Sequence, residues 1–443
     1  MNGLGFVAVV LSAVALGTAL TRRFAPGAPD SLSAGFAAGL IALHLVLQAM
    51  SILGLGWHWL VAPALGAIGW LWTLRSAPAP ARERWALGWG DGAAFAACLL
   101  ICGLAVAMAI DNPDFVFHWG LKARKFALAG GLDFRFLQAP SNWRVHPDYP
   151  NLLPELFAIT SLGERSFHEP VLLAWSGLFF AAALLAAREA LARLAADSLR
   201  RQAALAFIAF SVAGFVIATE LTGNADALIS WALLLALPAL VEPAAPGAAF
   251  RLAIAAALAA SSKIEGVPLA GFMLAGFLWA LVSSRVLPRR ALALRLAMVA
   301  LPTALVVAPW LAINLRHSLF LTTNSGPFSL ERLDRAMPFL ARALGAHSWN
   351  GATAVVLLIP LLLWSRSLRP ATTVCVAQLA FYLWVYSTSP VDTASYVQWS
   401  FPRLLLHVLP ALWVLAAGWH GRSPKPLSSS ITGDFADELP RLP

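Results

Sequence analysis

Residues 266–284 read GVPLAGFMLAGFLWALVSS, a run without a single charged side chain. A helix needs about 20 apolar residues to cross the hydrocarbon core of a bilayer, so this run predicts a transmembrane helix. Similar runs lie at about 4–21, 34–53, 57–74, 91–110, 171–187, 203–219, 226–241, 250–262, 296–313, 351–365, 371–387 and 401–419. Together they predict an all-α, polytopic membrane protein with about thirteen transmembrane helices, and counts of about eleven to thirteen fit the pattern.

The composition excludes other classes of protein. Of the 443 residues, 59% are hydrophobic and only 12% are charged, whereas a soluble domain has about 25% charged residues. A chain with so few charges cannot cover its surface with polar groups, which excludes soluble globular, disordered and disulfide-stapled proteins. Cys98, Cys102 and Cys375 lie inside apolar runs and are interpreted as small buried residues.

The basic residues predict the orientation. The net charge is +9, and arginines cluster in short loops between the apolar runs. The positive-inside rule places these loops in the cytoplasm, and with thirteen spans the N-terminus is outside. The arginines therefore read as membrane anchors rather than as a nucleic-acid surface. Residues 1–420 are predicted to form one transmembrane domain, followed by a flexible cytoplasmic tail over 421–443.

The loop 111–170 follows the fourth predicted span and lies outside. It combines acidic residues with many aromatic ones, which predicts a partly helical, folded cap. Trp119, Ala123 and Phe126 share one helical face. Lys122, Arg124 and Lys125 fall mostly on the other. This pattern predicts an interfacial helix with its apolar face in the headgroup boundary. Its basic face is either a membrane anchor or a phosphate-binding surface.

Asp111 and Asp114 stand where the fourth span leaves the membrane. A partly desolvated carboxylate at this boundary suits a general base. The alternative is that an aspartate beside Asn112-Pro113 only ends the helix. Farther along, prolines stiffen the segment that carries His146, Asp148 and Tyr149. This segment is either a sugar-binding edge or a stiff connection to the next helix.

Five further charged residues lie within or beside the predicted spans. Lys263 and Glu265 lie between two apolar runs, where a charged pair is costly unless it is paired or functional. Lys263 is thus a candidate for neutralising a phosphate, and a plain interfacial turn is the alternative. Asp226 lies at an outer turn and Arg316 at the outer end of a span. Arg403 lies on the outer side, against the positive-inside trend, which suggests a phosphate partner.

The order of these motifs resembles the GT-C superfamily of integral membrane glycosyltransferases, in particular protein O-mannosyltransferases and aminoarabinose transferases. The matching segments are Asp114-x-x-x-x-Trp119-x-x-Lys122-Ala123, His146-Pro147-Asp148-Tyr149-Pro150, Gly223-Asn224-Ala225-Asp226 and Ser262-Lys263-Ile264-Glu265-Gly266. They cover about residues 110–270. This chain differs in having several spans before the acidic loop, where the common core has one, and in lacking a large outer C-terminal domain.

The resemblance implies an inverting sugar transfer from a polyprenyl-phosphate donor to a lipid, glycan or protein acceptor of the envelope. Asp114, with Asp111 beside it, would supply the general base. The phosphate-binding candidates are Arg403, Lys263, Arg316 and the basic face that carries Lys122, and the substrate-binding candidates also include His146, Asp148, Tyr149, Glu265 and Asp226. Some members use a divalent metal ion, for which Asp111, Asp114 and His118 are the candidate ligands.

The location implied is a bacterial-type inner membrane, with the active site on the periplasmic side and with membrane lipids around the spans. Two alternatives remain open. A polytopic transporter would carry its polar residues at mid-membrane in broken helices. A non-catalytic subunit of an envelope-assembly machine would keep the fold without a working carboxylate.

Overall fold

The computed structural model describes residues 3–26, 28, 31–76, 87–108, 113–195, 197–219, 223–284, 287–319, 326–347, 349, 351–389 and 391–419. All regular structure within these ranges is helical, as the sequence predicts. The helices of the first half are α1 (Leu4–Phe24), α2 (Leu32–Ile52), α3 (Val61–Arg75), α4 (Trp89–Ala107), α5 (Gly120–Ala129), α6 (Phe134–Gln138), α7 (Leu152–Glu164), α8 (Glu169–Leu194) and α9 (Ser198–Thr219). Those of the second half are α10 (Asp226–Val241), α11 (Ala248–Ser262), α12 (Gly266–Ser284), α13 (Arg289–His317), α14 (Leu330–Ala346), α15 (Ala352–Trp364), α16 (Arg369–Thr388) and α17 (Thr393–Gly418).

Each of the thirteen predicted spans overlaps one of these helices. Within the described residues, eight helices are long and apolar enough to cross a membrane: α1, α2, α4, α8, α9, α12, α13 and α17. The helices α10, α11 and α15 are apolar but shorter. A multi-pass membrane protein follows from the eight, and the count of thirteen stays a prediction.

Helices α10 and α11 form the centre of the bundle. Every residue of α11 is buried, as is every residue of α10 except the last. Helix α10 packs against α8, α11, α12, α16 and α17. Because protein rather than lipid surrounds them, these helices are not required to match the bilayer thickness of about 30 Å that sets the length of lipid-facing helices.

Small residues let the N-terminal helices approach closely. Helix α1 packs against both α2 and α3. A Cβ atom added to Gly17 of α1 would lie 1.6 Å from the backbone oxygen of Gly35 in α2, and one added to Gly39 would lie 1.8 Å from that of Ala13. Close backbone contact through small residues is a typical way for membrane helices to associate.

One end of the bundle, which we call the arginine end, holds Arg22 and Arg23 in the last turn of α1 and Arg193 in the last turn of α8. Here Arg251, at the start of α11, pairs with Glu189 near the end of α8 at 3.1 Å. Glu189 also accepts a 2.6 Å hydrogen bond from Ser31, which precedes α2. Arg188 pairs with Asp91 at the start of α4. These contacts bring together segments that the positive-inside rule places in the cytoplasm.

Residues 113–168, the cap segment, lie at the opposite end, which we call the cap end. The cap segment consists of a π-helical turn (Phe115–Trp119), α5, α6, a 3₁₀ turn (Pro140–Val145) and α7. Glu164, at the end of α7, accepts hydrogen bonds from the backbone N–H groups of Gly3, Gly5 and Phe6 at 2.9, 2.7 and 3.3 Å. A carboxylate at a helix N-terminus is favoured by the helix dipole, so this contact fixes the cap segment to the start of α1.

The apolar face of α5 packs against protein, which corrects the interfacial helix predicted from the sequence. Trp119, Ala123 and Phe126 are buried, and α5 packs against α7. Trp57 meets Phe126 edge to face, with ring centroids 6.1 Å apart. Lys122 is also fully buried and therefore does not face lipid headgroups. An amphipathic pattern shows which face is buried but does not distinguish lipid from protein as its partner.

Candidate functional site

Five charged side chains form a continuous chain of alternating sign at the cap end. Arg403 Nη2 lies 2.6 Å from Asp114 Oδ2 and 2.9 Å from Asp226 Oδ2. Lys263 Nζ lies 3.0 Å from Asp226 Oδ1 and 3.3 Å from Glu265 Oε1. The order is therefore Asp114, Arg403, Asp226, Lys263, Glu265. Residues from three predicted motifs meet Arg403 in this charge chain, although the contacting partners Lys263 and Asp226 are 37 positions apart and Arg403 and Asp114 are 289 apart.

Helix ends explain why two of these charges are tolerated. Asp226 is the first residue of α10, and Lys263 directly follows the last residue of α11. A helix N-terminus stabilises an anion and a C-terminus a cation, so each dipole favours the charge beside it. Lys263 adopts an extended backbone, with φ −157° and ψ 158°, which ends α11 at this point. The turn then brings Glu265 back toward the Lys263 ammonium.

The middle of the charge chain is buried and its ends are more accessible. The Asp226 side chain is 0% exposed, whereas Asp114 is 23% and Glu265 is 17% exposed. Both carboxylate oxygens of Asp226 have partners. Arg403 lies beside Oδ2, and Lys263 and His407 Nε2, the latter at 2.7 Å, lie beside Oδ1. A ligand therefore meets Asp114 and Glu265 more readily than Asp226.

A hydrogen-bonded row extends from Asp226 into the bundle. His407 Nδ1 lies 2.6 Å from the hydroxyl of Tyr382, and Gln378 Nε2 lies 2.9 Å from the same hydroxyl. Gln378 Nε2 also donates to the backbone oxygen of Glu265 at 3.1 Å. Gln378 and Tyr382 were not predicted from the sequence. Their signal was a pair of polar residues four positions apart, hence on one helix face, inside an apolar run.

A second group of side chains from the cap segment adjoins the charge chain. The ring centroids of His118 and His146 are 4.9 Å apart, and Tyr149 lies 5.5 Å from His118 and 4.5 Å from His146. The charges of Lys263 and Arg403 act on His118, and those of Glu265 and Asp114 act on His146. These side chains and the charge chain thus form one candidate site.

The two histidines are held neutral. Burial, and then the charge of Lys122, holds the pKa of His118 well below its ordinary value. The same two causes lower the pKa of His146 to about 4. Within the described residues, His118 Nε2 and His146 Nδ1 are buried without a hydrogen-bond partner. A neutral imidazole nitrogen can donate or accept according to its tautomer, so both can bind an uncharged polar group.

Lys122 connects parts of the cap segment. Its Nζ donates to the backbone oxygen of His146 at 3.0 Å and to Asn151 Oδ1 at 3.4 Å, and it lies 5.5 Å from the Trp119 ring centroid. Asp148 and Glu155 add opposite charge nearby. Burial nevertheless lowers the pKa of Lys122 to about 7. This lysine, interpreted as a phosphate-binding candidate from the sequence, lies inside the fold.

The lowered pKa of Lys122 predicts a specific dependence of stability on pH. Between pH about 7 and the ordinary value of 10.5, the unfolded chain binds a proton at Lys122 that the folded chain does not. The free energy of unfolding should therefore rise by about 2–3 kcal/mol between pH 7 and pH 9.5 because of this group. Titration with dodecyl sulfate in mixed micelles at each pH measures this free energy of unfolding. Lys122→Met should lose that part of the rise, and Lys125→Met should keep it; equal pH dependence in all three proteins would contradict the assignment.

The predicted site residues are not all brought together. Arg316 is exposed at the end of α13, where its neighbour His317 stacks on Phe134 with ring centroids 4.0 Å apart. Asp148 lies beside the histidine group, and its backbone oxygen accepts a 2.8 Å hydrogen bond from Trp310. Asp111 lies outside the described residues.

The described residues of the site do not form a set of divalent-metal ligands, and Asp111, one of the three candidate ligands, lies outside them. Within the described ranges, no three His, Cys, Asp or Glu side chains are grouped as metal ligands. Arg403, Lys263 and His407 hold both oxygens of Asp226, and Arg403 holds one oxygen of Asp114. A metal ion bound to Asp114 or Asp226 would have to displace these partners.

Comparison of the chain with protein-family models, with curated proteins and with solved structures finds no match.

Proposed function

We propose that this protein is a membrane glycosyltransferase. It would move a sugar from a polyprenyl-phosphate donor to a hydroxyl of an envelope acceptor, with inversion at the anomeric carbon. The observation that carries the proposal is that the accessible carboxylate of Asp114 shares Arg403 with the buried Asp226. A base and a cation side by side at a bundle end fit a reaction that releases a proton and a phosphate.

The transfer assigns a role to each end of this pair. Asp114 accepts the proton of the acceptor hydroxyl while its oxygen forms a bond to the anomeric carbon. The bond between that carbon and the phosphate oxygen breaks, and its electron pair leaves with the lipid phosphate. Arg403 and Lys263 stabilise the departing anion. Within the described residues, Arg403 Nε is buried without a hydrogen-bond partner, which leaves a donor for a phosphate oxygen.

The neutral histidine group supports the sugar subsite. Sugars offer hydroxyl groups that both donate and accept, and His118 and His146 carry buried ring nitrogens that match them. Tyr149 packs against both rings and adds an aromatic face. We assign this group to the transferred sugar and the charge chain to the phosphate.

The membrane setting supports a lipid-linked donor. The candidate site lies at the end opposite the arginine end, and the positive-inside rule assigns the arginine end to the cytoplasm. The site would then face the periplasm of a bacterial-type inner membrane, where a polyprenyl chain has access from the surrounding lipid. The acceptor would be a lipid, a glycan or a protein of the envelope.

A transporter is the second candidate. The observation that favours it is the row from Asp226 through His407 to Tyr382, because buried ionisable residues inside membrane helices often mark ion pathways. A non-catalytic envelope-assembly subunit is the third. Transfer predicts sugar movement between two molecules, transport predicts movement across the bilayer, and the subunit predicts neither from the purified protein.

A reconstitution experiment distinguishes these functions. Purified protein in proteoliposomes receives undecaprenyl-phosphate hexoses labelled in the sugar, together with envelope lipids and glycans as acceptors. We expect labelled acceptor and free undecaprenyl phosphate in equal amounts. Mass spectrometry of lipid-linked sugars from cells without the protein identifies the donor, which should accumulate. Uptake of label without any transfer product would contradict the glycosyltransferase assignment.

A further inference from the structure

The row of hydrogen bonds behind Asp226 has donors and acceptors that fit one assignment. An ionised Asp226 accepts only, so His407 Nε2 carries the proton at their 2.7 Å contact. Gln378 donates to the Tyr382 oxygen at 2.9 Å, which leaves the Tyr382 hydroxyl hydrogen free to donate to His407 Nδ1 at 2.6 Å. Every polar hydrogen of Tyr382 and His407 is used when His407 is neutral, with its hydrogen on Nε2.

The row also closes on itself. The second N–H of Gln378 reaches the backbone oxygen of Glu265 at 3.1 Å. Glu265 belongs to the same turn as Lys263, whose ammonium returns to Asp226 at 3.0 Å. The resulting ring joins the start of α10, the turn before α12, and helices α16 and α17. Because its side chains are almost fully buried, water cannot replace its hydrogen bonds at low cost.

We infer that Asp226 is a positioning residue rather than a substrate ligand, and that Tyr382 orients it by fixing the tautomer of His407. With its carboxylate plane fixed by His407, Asp226 sets where Arg403 Nη2 and Lys263 Nζ lie, at 2.9 and 3.0 Å. Asp226 thereby presents both cations in one geometry. This inference rests on the proposed function only in naming a lipid phosphate as the anion that the cations meet.

The same helix supplies a matched control. Tyr386 lies one turn beyond Tyr382 on α16, is equally buried, and bonds through its hydroxyl to Ser400 at 2.9 Å. Removing the hydroxyl of Tyr386 therefore deletes a buried hydrogen bond of similar kind without touching His407. In Tyr382→Phe it is His407 that loses a hydrogen-bond partner, whereas in Tyr386→Phe it is Ser400.

Nitrogen NMR of the histidines and arginines tests the inference directly. Full-length protein labelled with ¹⁵N-histidine and ¹⁵N-arginine is measured in lipid nanodiscs, with His407→Gln and Arg403→Lys to assign the two side chains. In the unsubstituted protein we expect His407 protonated on Nε2 and bare on Nδ1. Tyr382→Phe should shift both the His407 Nδ1 and the Arg403 resonances, and Tyr386→Phe should leave them in place. A hydrogen on Nδ1 in the unsubstituted protein, or equal responses to both variants, would overturn the inference.

Binding of undecaprenyl phosphate to the same nanodiscs separates the inference from the proposed function. Tyr382→Phe should weaken binding about five- to tenfold, the effect of one lost buried hydrogen bond, and Tyr386→Phe should leave it unchanged. Equal affinities in the unsubstituted protein and both variants would count against positioning. Absence of binding to the unsubstituted protein, with the expected tautomer, would reject the lipid phosphate and leave the NMR result as support for positioning.

Discussion

Asp114→Asn should lower sugar transfer about 100- to 10,000-fold, the contribution typical of a general base. Asparagine keeps the size of the side chain but cannot accept the proton of the acceptor hydroxyl. The rate at which labelled sugar passes from undecaprenyl-phosphate hexose to the acceptor in proteoliposomes measures this loss. Undecaprenyl phosphate itself should bind no more weakly, because the substitution removes a negative charge beside Arg403.

Asp133→Asn is the matched control for this result. Asp133 lies in the same cap segment and accepts a 3.0 Å hydrogen bond from the backbone N–H of Phe136 at the start of α6. Asparagine can replace it as an N-cap, so transfer should stay within about twofold of the unsubstituted protein. If Asp114→Asn retained transfer even with Asp111 also replaced, neither aspartate would be the base.

Asp226→Leu should lower the free energy of unfolding by about 3–5 kcal/mol. The reason is that Arg403 and Lys263 are both largely buried and would lose the carboxylate that lies between them. Removing one partner of a buried ion pair leaves an uncompensated charge, which costs more than the intact pair contributes. Dodecyl sulfate titration in mixed micelles measures the change.

A second variant shows whether charge is the cause. Adding Lys263→Met to Asp226→Leu removes one of the unpaired cations, and the double variant should be more stable than Asp226→Leu alone. Arg335→Met, which breaks the exposed pair with Glu331 on α14, should change stability by less than about 1 kcal/mol. Equal stability of Asp226→Leu and the unsubstituted protein would show that the charge chain is not needed for the fold.

The candidate site was partly visible in the sequence, for a physical reason. Lys263 and Glu265 were selected because a charged pair at membrane depth needs a partner or a function. Asp114 was selected where a predicted span leaves the membrane, Asp226 at an outer turn, and Arg403 because it departs from the positive-inside trend. The structure places these five residues in contact. The pairing of Arg403 with Asp114 is not visible in the sequence, because the two are 289 positions apart and only the packing of the bundle brings them together.

Two features of the fold were not predicted from the sequence, for different reasons. Tyr382 and Gln378 lie in a run that reads as an ordinary apolar span, and their role depends on His407 from the next helix. Lys122 was assigned, together with Arg124 and Lys125, to the basic face of an interfacial helix. In the fold, the oxygen atoms of His146 and Asn151 hold the Lys122 ammonium away from lipid.

By itself, the sequence determined that the chain is a helical, multi-pass membrane protein, because long uncharged runs have no other stable environment than lipid or the interior of a bundle. From the positive-inside rule, it also predicted that the arginine clusters of the short loops share one side of the membrane. Tertiary structure alone decided which acid meets which base, and that α5 packs on α7 rather than on lipid. Those outcomes depend on contacts between residues far apart in the chain, which no local pattern encodes.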